Sequence, residues 1–154
     1  MNKKETQIIV SRIEQWYSRM LGHFVGDRTP LSAKYGWSKG AVPFANRNKL
    51  KYKNITKGKS WGKEWESAWF HLTGDIKKEW RGKQIMVDLD FSGEGLVYTP
   101  KGKEIQGITN ASIWDQNFAR TRVLVPKSCL KNGKVELWVE TAANSLFGIF
   151  VDAD

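Results

Sequence analysis

The sequence predicts a mainly β protein, an antiparallel β-sandwich of jelly-roll-like topology preceded by an N-terminal α-helix. Two observations carry that prediction. The apolar residues recur with a helical spacing from Lys4 to about Phe24, and after Trp61 they recur with a period of two. From there onward, short strand-like runs follow one another with Gly- and Pro-bearing turns between them, and the missing helical pattern argues against a βαβ arrangement.

The elements follow in chain order. Ile9, Ile13, Trp16, Met20 and Phe24 lie on one helical face, and Arg12, Glu14, Ser18 and Arg19 lie on the other. Gly22 or Gly26 supplies the end of this helix, which forms a first unit over residues 1–26. Its stripe is expected to pack on the domain behind it or on a neighbouring chain. Residues 27–59 hold Pro30, Pro43, Gly36, Gly40 and Gly58 without a sustained period, and read as irregular chain. Tyr35, Trp37, Phe44 and Tyr52 within it argue for a segment laid over the surface of the next unit.

The sandwich is expected over residues 60–154. Ala68, Phe70 and Leu72 alternate with Trp69, His71 and Thr73; Ile85, Val87, Leu89 and Phe91 alternate with Met86, Asp88 and Asp90. Asp75 to Trp80 suits one helical turn between them. Leu96 to Thr99 and Glu104 to Ile108 flank Pro100-Lys101-Gly102, where Pro suits the second position of a type I turn and Gly the left-handed position after it. Thr121 to Val125 forms a further strand, stopped by Pro126. Val135, Leu137, Val139 and Thr141 face one way, with Glu136, Trp138 and Glu140 facing the other, and a last apolar run covers Leu146 to Val151.

Composition supports a folded core. Eight Trp, seven Phe and four Tyr exclude a largely disordered chain. Each buried ring removes about 150–250 Å² from water, a gross gain of about 4–6 kcal/mol. Twenty-five Lys and Arg against sixteen Asp and Glu give a formal charge of +9, which raises nucleic acid or an anionic membrane as partners. The cations come as scattered pairs, such as Lys3 with Lys4 and Lys77 with Lys78, and read as a solvated surface rather than a binding stripe. Neither nucleic acid nor membrane is therefore expected as a partner. Cys129 stands alone, no signal-like apolar stretch follows the N-terminus, and no apolar run approaches membrane-spanning length. A soluble, reducing, cytoplasmic setting is expected, in which Asn54-Ile55-Thr56 and Asn110-Ala111-Ser112 carry no meaning as glycosylation sites.

The residues for chemistry are sparse. His23 and His71 are far apart, and no His-Glu-x-x-His, Cys-x-x-Cys or Gly-x-Ser-x-Gly occurs, so no cofactor and no metal ligand are expected in this chain. Asp88 and Asp90 share a strand face about 6–7 Å apart, a spacing that would suit a glycosidase pair but is common on polar strand faces. Gly93-Glu94-Gly95 lacks the following helix that would make an anion site, and its glycines suit a bulge or tight turn aiming Glu94 off the regular face. Asn144 suits a turn or a reach to another domain. Trp61 and Trp65, in a loop leading into a strand, either plug the sandwich or stack on a ligand. Trp61, Trp65, Glu94, Trp114 and Asn144 are the candidate carbohydrate or interdomain contacts.

Several blocks in order carry a resemblance. They are Trp61-Gly62-Lys63-Glu64-Trp65-Glu66-Ser67-Ala68-Trp69-Phe70, Trp80-Arg81-Gly82-Lys83, Leu89-Asp90-Phe91-Ser92-Gly93-Glu94-Gly95-Leu96-Val97-Tyr98, Gln106-Gly107-Ile108-Thr109-Asn110, and Glu136-Leu137-Trp138-Val139-Glu140-Thr141-Ala142-Ala143-Asn144-Ser145-Leu146-Phe147-Gly148. Together, over about residues 60 to 148, this region resembles the N-terminal part of cytoplasmic-type family 38 α-mannosidases. The resemblance implies a β-sandwich ahead of a separate catalytic barrel, in an enzyme that removes α-linked mannose with retention by means of a carboxylate nucleophile and a zinc ion. The barrel's opening motif, with two His and an Asp, has no counterpart here, so the catalytic domain and its zinc are expected after residue 154 and no catalytic residue is carried over. The expected role is a non-catalytic scaffold, with its own catalytic domain, a homo-oligomer and a mannose-containing glycan as candidate partners. A free-standing carbohydrate-binding module using Trp61, Trp65 or Trp114 is the alternative.

Overall fold

The computed structural model describes residues 3–24, 26–109 and 119–144. Trp114 and the run Leu146 to Val151 lie outside the described residues. The chain opens with α1 (Lys3–Phe24), with Glu5 in its first turn, where a carboxylate complements the positive end of the helix dipole. The apolar stripe is where the spacing predicts it, but the domain behind does not cover it: Ile9, Ile13 and Trp16 are exposed, Trp16 at 61%.

Residues 27–59, expected to be irregular, contain two strands, β1 (Ser32–Ser38) and β2 (Tyr52–Ile55), joined through a 3-10 turn at Phe44–Lys49. Ala33, Tyr35 and Trp37 do alternate along β1, but Gly36 interrupts the pattern. A Cβ there would stand 2.8 Å from Leu50 Cβ and 3.1 Å from Tyr52 Cζ, so the glycine answers to a packing contact that only the folded chain creates.

The remaining strands are β3 (Ser67–Asp75), β4 (Met86–Asp88), β5 (Glu94–Tyr98), β6 (Glu104–Thr109), β7 (Arg122–Leu124), β8 (Leu130–Lys131) and β9 (Lys134–Ala142). All pair antiparallel. The large sheet runs β2-β1-β3-β9-β5-β6, with β8 on β9, and β4 pairs β7 in a second sheet. The fold is thus mainly β and antiparallel with one N-terminal helix, as the sequence predicts. Late in the chain, β9 inserts between β3 and β5, which brings distant segments together at the centre of the sheet. The β5–β6 turn forms as its residues dictate: Gly102 N donates to Thr99 O (3.0 Å) and Gly102 takes φ 86°.

Between the sheets lies the main core. Phe70, Leu72, Val97, Ile108, Leu137 and Val139 of the large sheet meet Val87, Leu89, Phe91, Val123 and Val125 of the facing segments. Cys129 is buried in the same cluster, and burial pushes its thiol pKa up. The large sheet's other face is covered too. Trp69, Tyr98 and Trp138 pack with Val42, Phe44, Leu50 and Tyr52 in a second cluster.

Candidate functional site

Three of the predicted contact residues meet at one end of the large sheet. Ser38, Ser67, Ala142, Glu94 and Thr109 stand opposite one another across β1, β3, β9, β5 and β6. Neighbours in such a row are about 4.8 Å apart. Trp65 and Asn144 lie just beyond this row. Trp65 N donates to Ala143 O (2.6 Å) and Ala143 N donates to Glu66 O (2.9 Å), which carries the pairing of β3 and β9 past the end of the ladder. Asn144 Oδ1 accepts from Glu94 N (3.0 Å), tying the start of β5 to the end of β9.

Trp65 has φ 67°, a left-handed backbone that a bulky side chain rarely adopts, and the residue is 67% exposed. Trp37, at the adjoining end of β1, is also exposed, and its Nε1–H donates to Glu66 Oε2. Glu66 accepts from Lys63 N as well (2.8 Å), and these two donors, Lys63 first, hold its carboxyl below the usual range. Both donors favour the charged carboxylate, which accepts their hydrogen bonds. Two exposed rings, Trp37 and Trp65, thus stand at this end of the sheet with the Glu66 carboxylate beside them.

Of the two uses open to Trp61 the structure shows the plug, and the expectation for Glu94 is corrected. Trp61 is 4% exposed, with Nε1 donating to Phe91 O (2.9 Å) and its ring edge-on to Phe70, so it plugs the core and has no face to offer a ligand. Glu94 is not aimed off the face by a glycine turn; it is a regular residue of β5. The left-handed residue is Ser92 (φ 52°), whose N–H donates to Asp90 Oδ1 (2.9 Å). Gly93 and Gly95 serve close approach to β9: a Cβ on Gly93 would run into Ala142 O, and one on Gly95 would stand 3.1 Å from Glu140 O.

Of the other titratable residues, Asp88 and Asp90 are exposed, and Asp90 is used in the Ser92 turn. His71 stacks on Trp138 (4.2 Å, 15°) with Nε2 2.9 Å from Glu136 Oε1. Among the described residues, no group of three or more His, Cys, Asp or Glu is placed to hold a metal ion. No helix among them is long and apolar enough to cross a membrane. Nothing in the sequence pattern marks Trp37 or Glu66 as a contact; the β1–β3 pairing brings Trp37 to Glu66, the chain neighbour of Trp65.

Comparison with known proteins matches this architecture. The profile of a family described as "Alpha-mannosidase, jelly roll domain" matches residues 30–152. Alpha-mannosidase G of Dictyostelium discoideum is 26% identical over 159 residues, covering 97% of this chain and 14% of the relative. Alpha-mannosidase 2C1 of Homo sapiens is 23% identical over 154 residues, covering 94% of this chain and 14% of the relative. The chain thus spans about a seventh of the length of these relatives. With a matching profile over most of its length and the predicted antiparallel fold, the chain belongs to the α-mannosidase jelly roll domain family.

Proposed function

We propose that this chain serves as the non-catalytic N-terminal domain of an α-mannosidase, a scaffold against which the rest of a cytoplasmic α-D-mannoside hydrolase packs. The single observation that carries the reading is Trp65, held at φ 67° with its ring in water. A strained backbone of this kind costs about 1–3 kcal/mol, and exposed tryptophans are frequent anchors of interfaces. Glu94, Asn144 and Trp37 complete the same contact surface. The exposed stripe of α1 (residues 1–26 forming a separate arm) packs on the remaining polypeptide or on a second subunit. Zinc and the carboxylate nucleophile belong to polypeptide outside this chain; among the described residues no group of three or more His, Cys, Asp or Glu is placed for a metal, and His71 is committed to Trp138 and Glu136.

The test compares the 154-residue chain with a longer polypeptide carrying the remainder of the enzyme. The chain alone is expected to leave an aryl α-D-mannoside uncleaved, while Trp65→Ala in the longer protein lowers its thermal stability and activity without unfolding the isolated domain. Steady turnover by the pure 154-residue chain would sink the proposal. Exposed rings beside the ionised Glu66 also favour a second reading, direct binding of a mannose-containing glycan. Saturation by mannose of the isolated domain, lost in Trp65→Ala, would favour that reading.

A further inference from the structure

The opposite end of the sandwich carries a different kind of surface. β3 ends at Asp75 opposite Lys134 of β9, eight residue steps from the Ser67–Ala142 pair, or roughly 27 Å along the strands. A depression of 240 Å³ opens there. Ile76, Trp80, Ile85 and Leu130 form its apolar lining, Arg81 and Lys83 line it with them, and among the described residues no Asp or Glu does.

Both walls are set by backbone geometry. Leu130-Lys131 and Lys134-Val135 pair across Asn132 (φ 53°) and Gly133 (φ 73°), the two-residue turn that matches strand twist. The second wall is a run of turns in which Trp80 N donates to Lys77 O (3.0 Å) and Lys83 N to Trp80 O (3.0 Å), with Gly82 at φ 78°. Ile76 N donates to Gly133 O (2.7 Å), fastening the two walls together. Charge is sorted around them. Lys77 is paired with Asp27 (2.7 Å) and Lys134 with Asp75 (3.3 Å), while among the described residues Arg81 and Lys83 have no ion-pair partner.

We propose that this depression binds a single-ring organic phosphate. An apolar lining with one tryptophan takes a flat ring, and an arginine beside a lysine takes the phosphate, the guanidinium through its planar fork and the ammonium as a point charge. A volume of 240 Å³ lies below that of drug-sized pockets, about 300–1,000 Å³, and suits one ring rather than an oligosaccharide. The site stands apart from the Trp65 end and does not depend on the role proposed there.

The test is titration of the 154-residue chain, followed by amide and indole NMR, with mannose 6-phosphate, phenyl phosphate, neutral mannose and inorganic phosphate. Mannose 6-phosphate or phenyl phosphate is expected to shift Trp80, Gly82 and Gly133 with saturation, about tenfold tighter than either inorganic phosphate or mannose. The tighter of the two ring phosphates identifies whether a sugar or an aromatic ring is the natural source. Arg81→Gln with Lys83→Gln should weaken that binding about tenfold and remove its salt dependence, and Leu130→Ala should weaken both ring phosphates but not inorganic phosphate. Equal affinity for inorganic phosphate, shifts confined to Trp65, or no saturation by about 10 mM of either ring phosphate would overturn the proposal. Shifts at Trp65 caused by neutral mannose bear on the other end of the molecule alone.

Discussion

The large sheet buries aromatic residues on both faces, but by different means. On the inner face Phe70 meets Phe91 at 4.5 Å and Trp61 at 5.6 Å, surrounded by aliphatic side chains from the second sheet. On the outer face Trp69, Tyr98 and Trp138 lie under one loop, and directed contacts position them. Trp69 Nε1 donates to Val42 O (2.7 Å), and Tyr98 Oη donates to Glu140 Oε2 (3.3 Å). Arg47 is stacked over Phe44 at 3.5 Å and lies 4.4 Å from the Trp138 ring, while its Nη1 donates to Phe44 O (2.7 Å). Burial lowers the pKa of that guanidinium, and it pushes the Tyr52 hydroxyl up to about 12 in spite of Arg47 nearby. The inner face is held by area and shape, whereas the outer face is held by area together with a set of polar attachments to residues 42–52.

That contrast can be broken by substitution. Leu137→Ala on the inner face, at a fully buried site, should cost about 2–5 kcal/mol in urea unfolding with an unchanged m-value. Trp69→Phe on the outer face removes the donor to Val42 and should cost about 1–3 kcal/mol. Its signature is local: amide exchange in residues 42–52 should quicken before the core strands respond. If both substitutions raised exchange uniformly, the two faces would not differ as described. Arg47→Met keeps the packed stem and removes a charge whose Nε is buried without a hydrogen-bond partner, so stability should change by less than about 1 kcal/mol in either direction. A loss of 3 kcal/mol or so, as expected for breaking a buried ionic network, would contradict this.

The smallest effect concerns pH. Burial raises the Glu140 carboxyl above the ordinary 4.5, with the Tyr98 hydroxyl opposing the shift. The folded state therefore keeps a proton that the unfolded state has released, and this contribution, complete below the unfolded value, is lost as pH rises through the folded one. Glu140→Gln has no such loss. Thermal scans from about pH 4 to about pH 7 should show the variant gaining on the parent as pH rises. A variant that lost ground to the parent with rising pH would reverse the assigned shift.

Much of the fold is legible in the sequence, and the failures have local causes. Where one face of the chain meets the core and the other meets water, alternation marks it: Val87, Leu89 and Phe91 are buried while Met86, Asp88 and Asp90 are exposed. Pro100 and Gly102 state their turn directly. Trp138 shares its strand face with Glu136 and Glu140, so period alone reads it as outward and says nothing of the loop that buries it. Gly36, Gly93 and Gly95 look like turn residues, yet each marks a close approach of another strand or side chain, too near for a Cβ at Gly36 and Gly93 and tight for one at Gly95. Asn132-Gly133 turns a hairpin whose first strand, β8, has only two residues and so shows no period. Trp61 and Trp65 are four residues apart and of one type; which is core and which is surface depends on hydrogen bonds to Phe91 and Ala143, far off in sequence.

Cys129, 2% exposed and the sole cysteine in the chain, gives the seam between the sheets a chemical clock. A maleimide or disulfide reagent can reach that sulfur only when the layers part. The labelling rate therefore measures how often they separate, without any engineered probe. Docking of further polypeptide onto either end should slow that rate if it clamps the layers shut, and leave it unchanged if it does not.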